Sequence, residues 1–255
     1  MKRGTHAFVT GAGRGIGAAI AQTLAEVGYG LTLVGRTRED LQHVLSVLPG
    51  GPHHKVICDL TDPESVHNAF VSAKNALGPV DTLINNAGQV QTASIAKTPL
   101  DMWQAMLAVH LTGTFLCCQE ALQDMHTLGQ GRIINIASTA ALKGYAYSGA
   151  YCASKHGVLG LTRALALEVA KQGISVNAVC PGYTDTEIVR EGVGNIVTRT
   201  GRTPEAALAE LVRANPQGRL VSPEEVAQTV LWLCESAASS ITGQAIAVCG
   251  GEVMN

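Results

Sequence analysis

Three side chains in the middle of the sequence have the types and spacing needed to deliver a proton to a carbonyl oxygen. Tyr151 and Lys155 are four residues apart in Tyr151-Cys-Ala-Ser-Lys155, and Ser138 precedes Tyr151 by thirteen residues. Residues four apart share one face of a helix, so the ammonium is expected to favour the phenolate and to lower the tyrosine pKa from about 10. The group predicts acid–base catalysis near neutral pH.

A glycine-rich turn near the N-terminus predicts a site for the phosphates of a nucleotide. The apolar run His6-Ala-Phe-Val-Thr10 leads into Gly11-Ala-Gly-Arg-Gly-Ile-Gly17, and a helical pattern follows. Glycines allow a close backbone approach, and the free N–H groups at the start of a helix attract anions. The spacing Gly-x-x-x-Gly-x-Gly departs from the common dinucleotide fingerprint, and the Gly-Lys-Ser or Gly-Lys-Thr of an ATP-binding loop is missing.

Together these motifs resemble those of the classical short-chain dehydrogenase/reductase family. The matching segments are Thr10-Gly11-x-x-x-Gly15-x-Gly17, Asn85-Asn86-Ala87-Gly88, Ser138 with Tyr151-x-x-x-Lys155, and Pro181-Gly182-x-x-x-Thr186. They follow the family's order and spacing over nearly the whole chain. Within the family, the chain is most similar to the 3-oxoacyl-thioester reductases, which act on carrier-protein or CoA substrates, and to polyketide ketoreductases. The resemblance implies an enzyme that interconverts a ketone and a secondary alcohol with a nicotinamide cofactor.

The resemblance also assigns roles to individual residues. Tyr151 would donate the proton, Ser138 would hydrogen-bond the carbonyl oxygen, and Lys155 would lower the tyrosine pKa and hold the nicotinamide ribose. The implied cofactor-binding residues are Thr10, Gly11, Arg14, Gly15, Ile16, Gly17, Arg36, Asp59, Leu60, Asn86, Ala87, Gly88, Tyr151, Lys155, Pro181, Gly182, Thr184 and Thr186. A covalent role for Ser138 is disfavoured, because the sequence around it lacks the Gly-x-Ser-x-Gly elbow.

One residue departs from the family pattern. His110 stands where the family usually has an asparagine that supports a water molecule relaying protons to the lysine. Imidazole can also donate, accept and carry a proton. His110 is therefore a candidate relay, expected to act in the pH range where imidazole titrates; the alternative is a packed helix residue.

The end of the second predicted strand indicates the cofactor. Its sequence, Leu31-Thr-Leu-Val-Gly35-Arg36, offers a guanidinium for a 2′-phosphate and no carboxylate for a ribose hydroxyl. Arg14 resembles a second basic contact of NADP-preferring relatives. We therefore expect NADP(H) to be preferred and NAD(H) to remain possible. Asp59 matches the position that holds the adenine ring; alternatively, it caps the helix that follows.

Apolar, β-branched segments alternate with helical patterns along the chain. Strands are predicted at 6–10, 31–34, 55–58, 82–85, 132–137, 175–180 and 245–248. Continuous apolar strands joined by helices indicate a doubly wound, Rossmann-like α/β fold with a parallel sheet, which we expect to form a single domain over residues 1–255. His53 and His54 are expected in a loop. Residues 185–203 are predicted to be irregular, within a mobile substrate loop at about 185–217.

Composition disfavours several other classes of protein. The net charge of −2 gives no basic excess for nucleic acid, and no segment approaches eighteen continuous apolar residues, so neither nucleic acid nor a membrane is an expected partner. The seven cysteines form no Cys-x-x-Cys pair and the eight histidines no His-Glu-x-x-His, which disfavours a metal site. We expect a cytoplasmic protein.

Two alternatives stay open beside the NADP(H)-dependent reductase. One is an NAD-linked dehydrogenase of a hydroxyacyl-CoA or of a cyclic or aromatic alcohol; the other is a cofactor-sensing regulator that performs no reaction. Substrate specificity is expected to depend on residues 139–150, with Lys143, Tyr145 and Tyr147, and on residues 187–217. The resemblance further implies a homotetramer, assembled through the helix at about 102–122, the helix carrying Tyr151, and residues 250–255.

Overall fold

The computed structural model describes residues 5–254, apart from the side chain of Arg199. Its strands form one parallel sheet in the order β3-β2-β1-β4-β5-β6-β7. The strands are β1 (His6–Thr10), β2 (Gly30–Gly35), β3 (His53–Ile57), β4 (Thr82–Asn85), β5 (Gly131–Ile136), β6 (Ile174–Pro181) and β7 (Ala245–Val248). The chain therefore has the predicted doubly wound, Rossmann-like α/β fold.

Helices cover both faces of the sheet. They are α1 (Gly15–Glu26), α2 (Arg38–Val47), α3 (Pro63–Leu77), α4 (Leu100–Leu107), α5 (Gly113–Leu128), α6 (Gly149–Val169), α7 (Glu187–Thr200), α8 (Pro204–Val212) and α9 (Pro223–Cys234). All residues of β1 and β6 are buried, because helices on both sides exclude water from these central strands.

Alternate residues of β1 contribute to two separate hydrophobic cores. Ala7 and Val9 of β1 join the core that contains Leu24 of α1 and Leu233 of α9. Phe8, between them, points to the other face and stacks on Phe70 of α3, with ring centroids 4.0 Å apart. The sheet is thereby fixed between two helical layers, and the carboxyl ends of its strands lie along one edge.

Two local predictions were wrong. His53 and His54 lie in β3, paired with Leu31 and Thr32 of β2, because the strand begins directly after the turn at Pro52. Much of the segment 185–203, predicted to be irregular, is helix α7. The glycines within α7 made the helical spacing of its apolar residues difficult to recognise in the sequence. The helix ends at Gly201, which has the left-handed backbone conformation. The mobility of residues 185–217 stays a prediction.

The helix predicted at 102–122 is one continuous helical run from Leu100 to Leu128, with a π-helical turn at Ala108–Thr112 between α4 and α5. By length and composition alone the run is sufficient to cross a membrane. The core helix of a globular protein can be equally long and apolar, and Met106 and Cys117 of this run are buried. Length and composition are therefore weak evidence for a membrane span. The π turn matters for the site, because His110 lies in it.

Candidate active site

Ser138, Tyr151 and Lys155 converge at the carboxyl edge of the sheet. Ser138 follows β5, and its hydroxyl oxygen accepts a hydrogen bond of 3.1 Å from the backbone N–H of Ala140. α6 begins at Gly149 and carries the other two residues on one face. The Lys155 ammonium donates to the carbonyl oxygen of Ile136 at 2.8 Å and lies 5.8 Å from the centre of the Tyr151 ring. The Ser138 hydroxyl is close enough to the Tyr151 phenol to lower the pKa of that phenol as a hydrogen-bond donor.

The electrostatics of this group differ from the expectation. Burial raises the pKa of Tyr151 to about 12, and the hydrogen bond from Ser138 offsets only part of the rise. Burial also lowers the pKa of Lys155 to about 8. The predicted lowering of the tyrosine pKa by Lys155 is wrong for this structure, because desolvation of the phenol dominates. The phenol is consequently protonated at neutral pH and can act as a proton donor.

His110 lies beside the phenol. Its ring meets that of Tyr151 edge-on, with centroids 5.4 Å apart, and its Nε2–H donates to the carbonyl oxygen of Gln89 at 2.8 Å. Among the described residues, its buried Nδ1 has no hydrogen-bond partner. Burial, and secondarily the charge of Lys155, lowers the pKa of His110 to about 3. The expected titration of His110 near neutral pH is therefore wrong, since the imidazole stays neutral.

The glycine turn is packed as closely as its sequence implies. A Cβ atom on Gly17 would lie 2.2 Å from the carbonyl oxygen of Gly11, and one on Gly11 would lie 2.8 Å from the Cα of Ala87. Within residues 5–254, the side chain of Arg14 makes no capping hydrogen bond at the start of α1. The first turn of α1, which includes Ile16, contains no acidic residue. The N–H groups and dipole at the start of this helix are thus available to an anion.

The segment after β4 is held against the glycine turn. The hydroxyl of Thr10 accepts hydrogen bonds from the backbone N–H groups of Asn86 and Ala87 at 2.9 and 3.0 Å. The Asn86 side chain donates to the carbonyl oxygens of Thr10 and Gly11. A Cβ atom on Gly88 would lie 2.6 Å from the His110 ring. The Asn86 side chain thus has a structural role, and the glycine at 88 makes room for the imidazole.

The expected nucleoside contacts lie at the ends of β2 and β3. Arg36 is exposed directly after β2, and its charge helps to lower the pKa of the Asp59 carboxyl, whose main stabilisation comes from hydrogen bonds with Thr61. Leu60, half-buried, packs on the core. Asp59 does not cap the following helix, since the side chain of Asp62 accepts the capping bond from the N–H of Glu64 at 3.0 Å.

The segment after β6 approaches the glycine turn from the other side. The buried hydroxyl of Thr184 donates to the carbonyl oxygen of Gly182 at 3.0 Å, and Thr186 precedes α7. A Cβ atom on Gly15 would lie 3.2 Å from the methyl group of Thr186. The structure therefore brings residues 181–186 and the glycine turn together at the carboxyl edge of the sheet, where the catalytic group also lies, and this region is called the cleft.

This cleft fits a nicotinamide dinucleotide. A pyrophosphate would meet the uncapped start of α1 at Gly15 and Gly17, where added side chains are sterically excluded. Arg36, directly after β2, and Arg14, in the glycine turn, are exposed, and Lys155 is held at the end of β5. Residues of matching chemistry thus occupy the length of the cleft.

Sequence reasoning missed two features of the site. Gln89 holds His110 through its backbone carbonyl oxygen, which no residue type could reveal. Glu252, near the C-terminus, contacts Tyr145 and Lys143 of the predicted specificity segment. The one sequence signal that could have indicated a role for Glu252 was an acidic residue among the glycines and apolar residues at 250–254.

The arginines expected near the substrate mostly have acidic partners. Arg190 pairs with Asp185 at 3.0 Å, and Arg213 pairs with Glu210 at 3.0 Å. The side chain of Arg199, in the same segment, lies outside the part of the chain that the structure describes. The ion pairs bring the charge of this surface close to neutral.

Comparison with known proteins places this architecture in a family. A family model described as enoyl-(acyl carrier protein) reductase matches residues 11–252. A ketoacyl reductase named for the granaticin polyketide synthase of Streptomyces violaceoruber is 40% identical over 252 residues, covering 96% of this chain and 92% of the relative. The 3-oxoacyl-[acyl-carrier-protein] reductase FabG of Aquifex aeolicus is 36% identical over 257 residues, covering 98% of this chain and 97% of the relative.

A solved structure shows the same fold. A variant of the actinorhodin polyketide ketoreductase, crystallised with NADPH, superimposes with a TM-score of 0.95 at 36% sequence identity. The match covers 99% of this chain and 98% of that chain. The similarity therefore extends over the sheet, both helical layers and the cleft.

Proposed function

Because the chain belongs to the short-chain dehydrogenase/reductase family and is an oxidoreductase of keto and hydroxyl groups, we propose that it is an NADP(H)-dependent reductase of 3-oxoacyl thioesters. The observation that carries this proposal is the meeting of Ser138, Tyr151 and Lys155 at the carboxyl edge of the sheet, the same edge that carries the glycine turn. A protonated phenol beside a hydroxyl donor is suited to reducing a carbonyl group.

The proposed chemistry divides between the cofactor and the protein. The nicotinamide supplies a hydride to the carbonyl carbon when it is bound. Tyr151 transfers the proton of its phenol oxygen to the carbonyl oxygen, completing the alcohol. Ser138 donates a hydrogen bond to that oxygen as negative charge develops on it, and the Lys155 ammonium stabilises the phenolate that remains. Hydride and proton together account for the two hydrogens gained by the ketone.

His110 is proposed to act as a neutral relay. Its Nε2–H is engaged by Gln89, so Nδ1 is the atom able to accept a hydrogen bond, and it is buried without a protein partner among the described residues. A water molecule at Nδ1 would connect the imidazole to Lys155, whose charge acts on His110. The role does not require the imidazole to ionise.

The preference for NADP(H) is supported by Arg36 and Arg14, which are both exposed at the end of the cleft where the 2′-phosphate would lie. Guanidinium groups bind phosphate through paired hydrogen bonds. The related ketoreductase structure contains NADPH. The carboxylate of Asp59, on which the charge of Arg36 acts, is occupied by its hydrogen bonds with Thr61.

A homotetramer in the cytoplasm remains part of the proposal. Phe115 of α5 is 43% exposed and Leu167 of α6 is 84% exposed, although both are large apolar residues. Such residues on adjacent helices are suited to packing against a second copy of the chain. Asn255, at the end of the second predicted contact, lies outside the described residues. Sedimentation at micromolar concentration tests this assembly, and a monomer would contradict it.

A turnover screen tests the function. Purified protein with NADPH should reduce acetoacetyl-CoA or a carrier-bound 3-oxoacyl chain faster than cyclic or aryl ketones. Activity confined to NADH and to oxidation of an alcohol would instead support the dehydrogenase alternative. Tight NADPH binding with no turnover of any ketone would support the cofactor-sensing regulator.

A further inference from the structure

A buried carboxylate lies close to the proposed substrate site without belonging to the catalytic group. Glu252 follows β7, and its side chain is 1% exposed. It accepts a hydrogen bond from the phenol of Tyr145 and forms an ion pair of 2.9 Å with the Lys143 ammonium. Burying a charge is unfavourable unless it is paired and hydrogen-bonded, and Glu252 meets both conditions.

Tyr145 connects this carboxylate to the segment that carries Ser138. Its phenol oxygen lies 2.6 Å from the hydroxyl of Thr139, the residue directly after Ser138. The Lys143 ammonium lies 5.0 Å from the centre of the Tyr145 ring. Glu252 and Lys143 therefore fix both the hydroxyl and the ring of Tyr145.

The same carboxylate packs against the segment after β6. A Cβ atom on Gly182 would lie 3.0 Å from a Glu252 carboxylate oxygen, so the carboxylate packs closely against this glycine. The next residue, Tyr183, meets the Tyr145 ring edge-on, with centroids 6.3 Å apart. Tyr183 is also close enough to Tyr151 to contribute to the raised pKa of that phenol. The side chains of Tyr145 and Tyr183 thus lie between Glu252 and the proton donor Tyr151.

We propose that Glu252 is a positioning residue for the ketone: it holds Tyr145, and with it Tyr183, as the wall of the substrate site beside Tyr151. This inference rests on the proposed reductase function. The wall joins the segment after β5, on the substrate side, to the segment after β6, on the cofactor side. Its loss should weaken binding of the ketone more than it slows the chemical step, because Ser138, Tyr151 and Lys155 keep their own contacts.

The test compares Glu252→Ala with Glu252→Gln and Tyr145→Phe. Glu252→Ala should raise KM for the ketone by about tenfold, because the phenol loses its buried acceptor, while kcat changes by less than about threefold. Glu252→Gln should recover most of the affinity, since its amide oxygen still accepts from Tyr145. Tyr145→Phe should raise KM similarly, and combining it with Glu252→Ala should add little, as expected of residues that act through one contact.

The control is Glu224→Gln, an exposed glutamate in the first turn of α9, which should leave both constants unchanged. NADPH affinity, measured by fluorescence, should stay within about twofold of wild type in every variant. A KM within about twofold of wild type for both Glu252→Ala and Tyr145→Phe would overturn the inference, as would equal losses in kcat and NADPH affinity. If Glu252→Ala does not fold, the KM of Tyr145→Phe for the ketone alone tests the inference. A wild type without ketone turnover would overturn the proposed function and this inference with it.

Discussion

The imidazole of His110 stands edge-on to the phenol of Tyr151, with ring centroids 5.4 Å apart and planes at 82°. Its opposite side is held by the backbone of Gln89, which follows Gly88 in the segment after β4. The orientation of the imidazole is therefore fixed by the same segment that borders the glycine turn. An asparagine at this position would have a shorter side chain and no ring to contact the phenol.

Stability should fall in acid because His110 is buried in its neutral form. Its pKa of about 3 lies below the unfolded value of 6.5, so the unfolded state binds more protons between these limits. The contribution is fully present above pH 6.5 and is lost as the pH falls towards 3, on the order of 5 kcal/mol in all. Urea unfolding of His110→Asn should show a smaller loss over this range. His43→Asn, at an exposed histidine, should behave like wild type, and equal slopes in all three proteins would contradict the assignment.

The pH profile of reduction should report Lys155. The pKa of its ammonium is lowered to about 8 by burial, whereas the Tyr151 phenol stays protonated to about 12. We expect kcat/KM to decline above about pH 8 as the ammonium loses its proton. Lys155→Arg should be slower but should lose this decline, because guanidinium remains charged. A decline that persists unchanged in Lys155→Arg would assign it to another group.

Exchanging the charge at Arg36 should change the cofactor preference. Arg36→Asp removes a phosphate partner and supplies an acceptor for the ribose hydroxyl, so the ratio of NADPH to NADH efficiency should fall by about tenfold or more. Initial rates with each cofactor measure the ratio. Lys171→Asp, the same change at an exposed site away from the cleft, should leave the ratio unchanged. A wild type that already prefers NADH would contradict the interpretation of Arg36.

Gly17 should tolerate no side chain. In Gly17→Ala the new methyl group would lie 2.2 Å from the Gly11 carbonyl oxygen and 2.5 Å from the Asn86 amide nitrogen, so the turn must shift. We expect thermal unfolding at a lower temperature and weaker NADPH binding. Gly194→Ala, in α7 with no atom within 4 Å of the new methyl group, should be neutral or stabilising by roughly 0.5–1 kcal/mol. Equal Tm values for the two variants would contradict the close packing.

Much of the fold could be predicted because continuous apolar strands and glycine turns are local signals. The predicted strand at 82–85 coincides with β4, and the one at 245–248 with β7. Helix α7 could not be recognised in the same way, since Gly192 and Gly194 lower its intrinsic helix propensity and tertiary packing stabilises it. The start of β3 was predicted too late for a similar reason, because pairing with β2 extends the strand into His53 and His54, whose sequence resembles a loop.

The placement of Tyr151 and Lys155 could be predicted from the sequence, but their pKa values could not. The spacing of Tyr151 and Lys155 correctly placed both on one face of α6. Their pKa values depend on how much water reaches them, which is a property of the whole fold, and burial dominates both shifts. Glu252 is 107 residues from Tyr145 along the chain, so their contact could not be inferred from any local pattern.

The most direct test of the account is the NADPH-dependent reduction of acetoacetyl-CoA by wild type and Tyr151→Phe, followed by the loss of NADPH absorbance. The substitution removes the proton donor but keeps the ring, which fills the same space beside His110. We predict a rate loss on the order of 10² to 10⁴ with unchanged NADPH affinity. Near-normal turnover by Tyr151→Phe would contradict the assignment of Tyr151 as the acid.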